Sequence, residues 1–178
     1  RMNISGMPKF NGDGSFRDSS VSFLKMYFNV LNEDYAKIVN MEEIAEQSYD
    51  EMEAYLMLQE AIDKKLEDAN ERMSKAQKDF AAKNNMTLVA GEDKNSGKLK
   101  QVGAVNGYYH QVYLIFFKPY LQRENLMKAL DKNNVNAIEQ DRNALVKYCQ
   151  DGLKKLDTLK AFQGDNNLKL SCKQMLQY

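Results

Sequence analysis

Residues 52–80 read MEAYLMLQEAIDKKLEDANERMSKAQKDF, and this stretch decides the fold class. Met52, Tyr55, Gln59, Ile62, Leu66, Ala69, Met73, Ala76 and Phe80 recur in alternating steps of three and four. That is the 3.5-residue period of a helix whose apolar seam packs on neighbouring helices, as in a coiled coil. Several seam positions are Ala or Met, so the neighbours must supply the bulk. Asn40 followed by Glu43 forms a capping-box pattern, which sets the predicted helix over 41–84. At about 1.5 Å per residue such a helix is on the order of 65 Å long, which predicts an elongated bundle.

Working outward, a first helix is predicted over 15–39, with Leu24, Tyr27, Leu31, Tyr35 and Ile38 on its inner side. An irregular segment, 1–14, precedes it. The pattern fails over 85–103, a polar stretch that predicts a mobile loop. A third helix is predicted over 104–130. Its Tyr108 to Phe117 portion is apolar almost all round, which implies burial from several sides. Pro119 within it predicts a kink or a short break. Asn136 and Glu139 form a second capping-box pattern, opening a helix that reaches about Phe162. A turn over 163–166 leads to a last, shorter helix. The chain therefore reads as all-α: an elongated antiparallel bundle of four main helices plus a shorter C-terminal helix, in one domain spanning 1–178.

The two ends carry related strings. Phe10-Asn11-Gly12-Asp13 matches Phe162-Gln163-Gly164-Asp165, Phe16-Arg17 matches Leu168-Lys169, Ser19 matches Ser171, and Leu24 matches Leu176. The shared offset of 152 residues suggests a pseudo-repeat, 10–26 and 162–178, each running from a tight turn into a helix.

Composition excludes several function classes. Lys+Arg and Asp+Glu both number 25. That balance lacks the basic excess of a nucleic-acid binder. No apolar run is long enough to span a bilayer. Cys149 and Cys172 fall on successive antiparallel helices, offset by about 10 Å along the axis, which predicts two unbridged thiols. The lone histidine, His110, has no Glu three residues before it, so the ligand pattern of di-iron bundles is missing. Asn11-Gly12-Asp13-Gly14-Ser15 fails as a calcium loop, because Phe16 and Ser22 stand where Gly and Glu are needed. Gly91 to Lys98 has one residue too many for a phosphate loop, and Leu99 follows the lysine where Ser or Thr is required. These readings predict neither enzyme nor cofactor nor metal. The remaining candidate is an aromatic surface for a partner, formed by Tyr108, Tyr109, His110, Tyr113 and Tyr120.

The Gly12-Asp13 start, the segment Glu46-Gln47-Ser48-Tyr49-Asp50-Glu51-Met52-Glu53-Ala54-Tyr55 and the string from Tyr109 to Lys118 resemble an uncharacterised family of bacterial all-helical surface proteins or lipoproteins. The resemblance implies export to the periplasm or cell surface, with a lipid anchor outside this stretch. The cysteine of a lipobox is absent from these residues. The expectation is a non-enzymatic structural or protein-interaction module of the cell envelope, partnered by another protein or by itself. The alternative is a small-molecule or haem-type carrier, with a pocket beside the Tyr108–Phe117 helix and next to His110.

Overall fold

The computed structural model describes residues 3–89 and 94–178. The described residues are all-α: α1 (Ser15–Asn29), α2 (Tyr35–Ala45), α3 (Tyr49–Lys83), α4 (Lys94–Asp131), α5 (Val135–Thr158) and α6 (Asn167–Gln177). Helices α1 and α2 run into each other through a π-helical turn, Val30–Asp34, so the described residues contain five separate rods. The contacts group the chain into two compact units where the sequence suggested one domain. One is 1–41 with 57–103; the other is 42–56 with 104–178.

In the first unit, α1 lies antiparallel to the later part of α3. Phe16 stacks on Phe80 with ring centres 5.5 Å apart. Asn70 Nδ2 donates to the Tyr27 hydroxyl at 2.9 Å. Farther along, Lys65 Nζ reaches Asp34 at 2.6 Å. The buried side of α1 thus runs through Phe16, Tyr27 and Val30, the last fully buried. This corrects the expected inner stripe: Leu24, Leu31 and Tyr35 are exposed, and only Tyr27 and Ile38 are partly covered. The helix has two apolar sides about 100° apart, and composition does not say which one the core takes. At the π-turn the Tyr35 N–H donates to Val30 O, five residues back. Asn32 Nδ2 donates to the Phe28 carbonyl at 2.7 Å. Such turns insert one residue into a helix and recur at functional positions.

The second unit holds two apolar clusters on opposite sides of α4. Ala45, Met52, Leu56 and Phe117 form one; Val112, Leu156, Cys172 and Leu176 form the other. The burial from several sides expected for Tyr108–Phe117 is thereby met at Val112 and Phe117. Helix α5 returns antiparallel to α4, with Gln122 Nε2 donating to Asp141 Oδ1 at 2.8 Å near the hairpin end. Lys118 Nζ sits between the Tyr49 and Tyr148 rings, 5.0 and 4.7 Å from their centres. Gly152 lets α4, α5 and α6 approach closely. A Cβ there would stand 2.8 Å from Leu176 Cδ1 and 3.2 Å from Ile115 Cγ2.

The seam expected on α3 is partly or fully buried at every position from Met52 to Phe80. The helix boundaries differ from expectation. Asn40 lies inside α2 and caps nothing; α3 opens at Ser48, whose hydroxyl accepts from the Glu51 N–H at 3.2 Å and donates to its carboxylate at 2.9 Å. The capping box is therefore Ser48–Glu51, eight residues beyond the expected one. Helix α5 is capped by Asn134, which accepts from the Ala137 N–H at 3.2 Å, not by Asn136. Helix α4 begins at Lys94, so much of the segment expected as a loop over 85–103 is helical; residues 90–93 of that segment lie outside the described residues. Lys100 holds this part of α4 to α3 by ion pairs with Glu71 at 2.7 Å and Glu67 at 3.4 Å. Pro119 does not end α4.

Candidate functional site

The five aromatic and histidine candidates on α4 do not form one surface. Successive helical residues point about 100° apart, so Tyr108, Tyr109 and His110 face three directions. Tyr109 is exposed and stacks on Tyr113, with ring centres 5.6 Å apart. Tyr113 stacks in turn on Phe117 at 5.8 Å, and the exposed Tyr120 lies 6.2 Å from Phe117. These rings make a ladder along one side of α4. His110 is buried, its ring edge-on to Tyr109 at 6.0 Å. Tyr108 turns the other way and packs on Phe162 at 5.2 Å. Burial raises the Tyr108 phenol above its usual range, and the Asp165 carboxylate adds to the effect. Burial likewise raises Tyr113.

Beside Tyr108 the second unit carries a surface cleft of 660 Å³. Its floor is apolar, with Leu114, Ile115 and Phe162, and Lys155 and Gln163 bring polar groups to it. The Tyr108 hydroxyl is buried without a hydrogen-bond partner. His110 does not line this cleft. No group of three or more His, Cys, Asp or Glu able to hold a metal is found among the described residues. Cys149 and Cys172 are free thiols, and burial raises both.

The two related strings fold into closely similar turns. Phe10 N–H donates to Asp13 O at 3.0 Å and Asp13 N–H to Phe10 O at 2.8 Å; Phe162 and Asp165 repeat both bonds at 3.0 and 2.8 Å. The central residues have positive φ in each: Asn11 47° and Gly12 80°, Gln163 51° and Gly164 91°. Two positive φ values in succession are the signature of a type I′ turn, which favours Asn and Gly. The Asp carboxylate then accepts the N–H two residues on, from Ser15 at 2.9 Å and from Asn167 at 2.7 Å. The basic residue reaches back ten positions in both places: Arg17 Nη1 donates to Met7 O at 2.9 Å, and Lys169 Nζ to Leu159 O at 2.9 Å.

The first of these turns has an electrostatic consequence. The backbone N–H of Ser15, then its hydroxyl and the Lys83 ammonium, lower the Asp13 carboxyl from 3.8 to about 2. A group whose folded pKa is depressed favours folding in its ionised form. Its contribution is present above pH 3.8 and is lost as the pH falls towards 2. Carboxyl-resolved NMR is expected to show Asp13 titrating near 2 in the wild type, and Asp13→Asn to flatten the fall in stability across that window. An Asp13 titration at 3.8 with unchanged acid sensitivity in the variant would contradict this.

A second surface went unrecognised in the sequence. Leu24, Phe28, Leu31, Tyr35 and Val39 stand on successive turns of α1, the π-turn and α2, each between 41% and 66% exposed. The signal was available as the 3–4 spacing of Leu24, Leu31 and Tyr35, which the sequence reading assigned to the core. No helix among the described residues is long and apolar enough to cross a membrane. No protein-family model, curated protein or solved structure matches the chain.

Proposed function

We propose that the chain is a non-enzymatic helical interaction module, and that the Leu24–Val39 stripe is its binding face. The carrying observation is that stripe: five large apolar side chains, aligned along one helical side and left in solvent. Contiguous exposed apolar surface marks sites of protein–protein, membrane or ligand interaction. The matched turns support an internal repeat, 10–26 and 162–178, as the unit of construction. The cell envelope is the proposed compartment, on the resemblance of the Gly12-Asp13, Glu46–Tyr55 and Tyr109–Lys118 segments alone.

A substitution on a binding face should leave folding alone. Phe28→Glu with Leu31→Glu is expected to keep the unfolding free energy within about 0.5 kcal/mol of wild type, as for ordinary surface changes. A loss of several kcal/mol would place the stripe in a core and end this reading.

A carrier role is the second reading, favoured by the 660 Å³ cleft lined in part by Tyr108, whose buried hydroxyl has no hydrogen-bond partner. Its ligand would be an amphipathic small molecule, with an acceptor for Tyr108 and an anionic group for Lys155. His110, on which the haem-type alternative relied, lies outside the lining of this cleft.

A further inference from the structure

The cleft of the second unit carries an unbalanced charge. Its lining residues all belong to 42–56 or 104–178, so the site lies within that unit. Among the described residues that line it are two lysines, Lys155 and Lys160, and no carboxylate. Both lysines are exposed, and neither makes an ion pair among the described residues. Nearby lysines do: Lys154 pairs with Asp151 at 3.8 Å, and Lys173 pairs with Asp157. A further ammonium, Lys169 Nζ, is bonded to the carbonyl of Leu159, a residue of the cleft wall. Residues 153–173 hold five lysines against two aspartates, in a chain whose charges balance. Asp165 acts on Tyr108 from outside the lining, and its carboxylate accepts the Asn167 N–H at 2.7 Å. An apolar cleft lined by one sign of charge concentrates ions of the other sign.

The matched turns show that the fold does not require these lysines. At the offset of 152 residues, Lys155 and Lys160 correspond to Asn3 and Pro8. Phe10 packs on Phe80 at 5.9 Å, as Phe162 packs on Tyr108 at 5.2 Å. Both turns keep the same pair of backbone bonds and the same capping aspartate. The lysines are additions to the turn and not parts of it.

The joint between α5 and α6 is also one wall of the cleft, because residues 159–163 all line it. The same joint fastens α6. Lys169 donates to Leu159 O at 2.9 Å, and Phe162 and Asp165 exchange two backbone bonds. A ligand seated on this wall binds the docked arrangement of α6 in preference to an opened one.

We infer that the cleft takes a single-chain amphiphile with an anionic head, and that its binding holds α6 in place. The alkyl chain lies on Leu114, Ile115 and Phe162, and a carboxylate or phosphate head meets Lys155 and Lys160. The inference rests on the carrier reading and adds to it the head group's selection by two lysines and an effect on α6. It holds whether or not the Leu24–Val39 stripe binds a partner. The ligand is an exchanging one, lost when the protein is purified.

The test titrates decyl phosphate, kept below its micelle concentration, into the isotope-labelled full chain and follows amide resonances. Saturable shifts are expected at Leu114, Ile115 and 159–163, with a Kd on the order of 100 µM. Lys155→Gln with Lys160→Gln is expected to weaken binding about tenfold, because the head group loses both cations. Lys147→Gln with Lys154→Gln is expected to leave it unchanged. Decyltrimethylammonium, with the opposite head charge, is expected not to bind. At about ten times Kd, amide exchange across α6 is expected to slow roughly tenfold. Equal binding of decyltrimethylammonium at the same residues would overturn the choice of head group and leave the carrier reading standing. Undiminished decyl phosphate binding by the Lys155→Gln/Lys160→Gln variant would do the same. Unchanged α6 exchange at saturation would overturn the hold on α6. Shifts from neither probe would end this inference and the carrier reading together.

Discussion

Phe117→Ala should lower the stability of the second unit by about 3–5 kcal/mol, the range for deleting a buried aromatic ring. Phe117 is 2% exposed and touches the cluster of Ala45, Met52 and Leu56. It also stacks on Tyr113, a step in the aromatic ladder. The elements around it are three helices that cannot close in freely, because Lys118 is held between Tyr49 and Tyr148 on the next position. The cavity should therefore stay open and the loss fall towards the upper end. Urea unfolding followed by far-ultraviolet circular dichroism reads it; the chain contains no tryptophan, so tyrosine emission is the second probe. A loss below about 1 kcal/mol would mean that the site collapses around alanine, and that the ladder contributes little.

Leu156→Ala is expected to cost about 2–5 kcal/mol and to loosen α6 specifically. Leu156 is fully buried and lies with Val112, Cys172 and Leu176, the group that docks α6 on the α4–α5 hairpin. Gly152, four residues earlier on α5, already places Leu176 in tight contact, so α6 has little room to resettle. The readout that separates local release from general destabilisation is Cys172, which is buried with its thiol raised. Its reaction with a disulfide reagent should accelerate in the variant well below the unfolding transition. An unreactive Cys172 in a variant of wild-type stability would show that α6 is held by other contacts.

The long helix was legible because its seam is the single apolar side of an otherwise charged rod. Periodicity then has one answer, and Met52 to Phe80 follow it. The α1–α2 rod was not legible in the same way. Its apolar residues fill two sides, and Phe16, Tyr27 and Val30 face α3 while Leu24 and Leu31 do not. The π-turn shifts the register by one residue within that helix, which no fixed period anticipates. Helix starts were misplaced where two candidate caps stand close together. Asn40 resembles a cap in sequence, but the turn that frees a backbone N–H for capping falls at Ser48. The polar stretch over 85–103 lacks an apolar period and so read as a loop, yet ion pairs from Lys100 to two glutamates on α3 supply a tether that local patterning omits.

The candidate site was legible as a composition and not as a geometry. Five residues close together on α4 read as one surface, while helical rotation sends Tyr108 to the cleft, His110 to the interior and Tyr109 to solvent. The two related strings form similar local turns. A turn with two positive φ values, an Asp that caps it and a basic residue ten positions from its carbonyl are short-range devices, and short-range devices survive transfer between contexts.

Native mass spectrometry of the full chain, set against its denatured mass, tests most directly whether this protein works through its surface or through its cleft. A binding module predicts the bare mass of the chain in the native spectrum. Excess mass that is retained natively, lost on denaturation and reduced by Tyr108→Phe would contradict it and assign the function to the cleft beside Phe162.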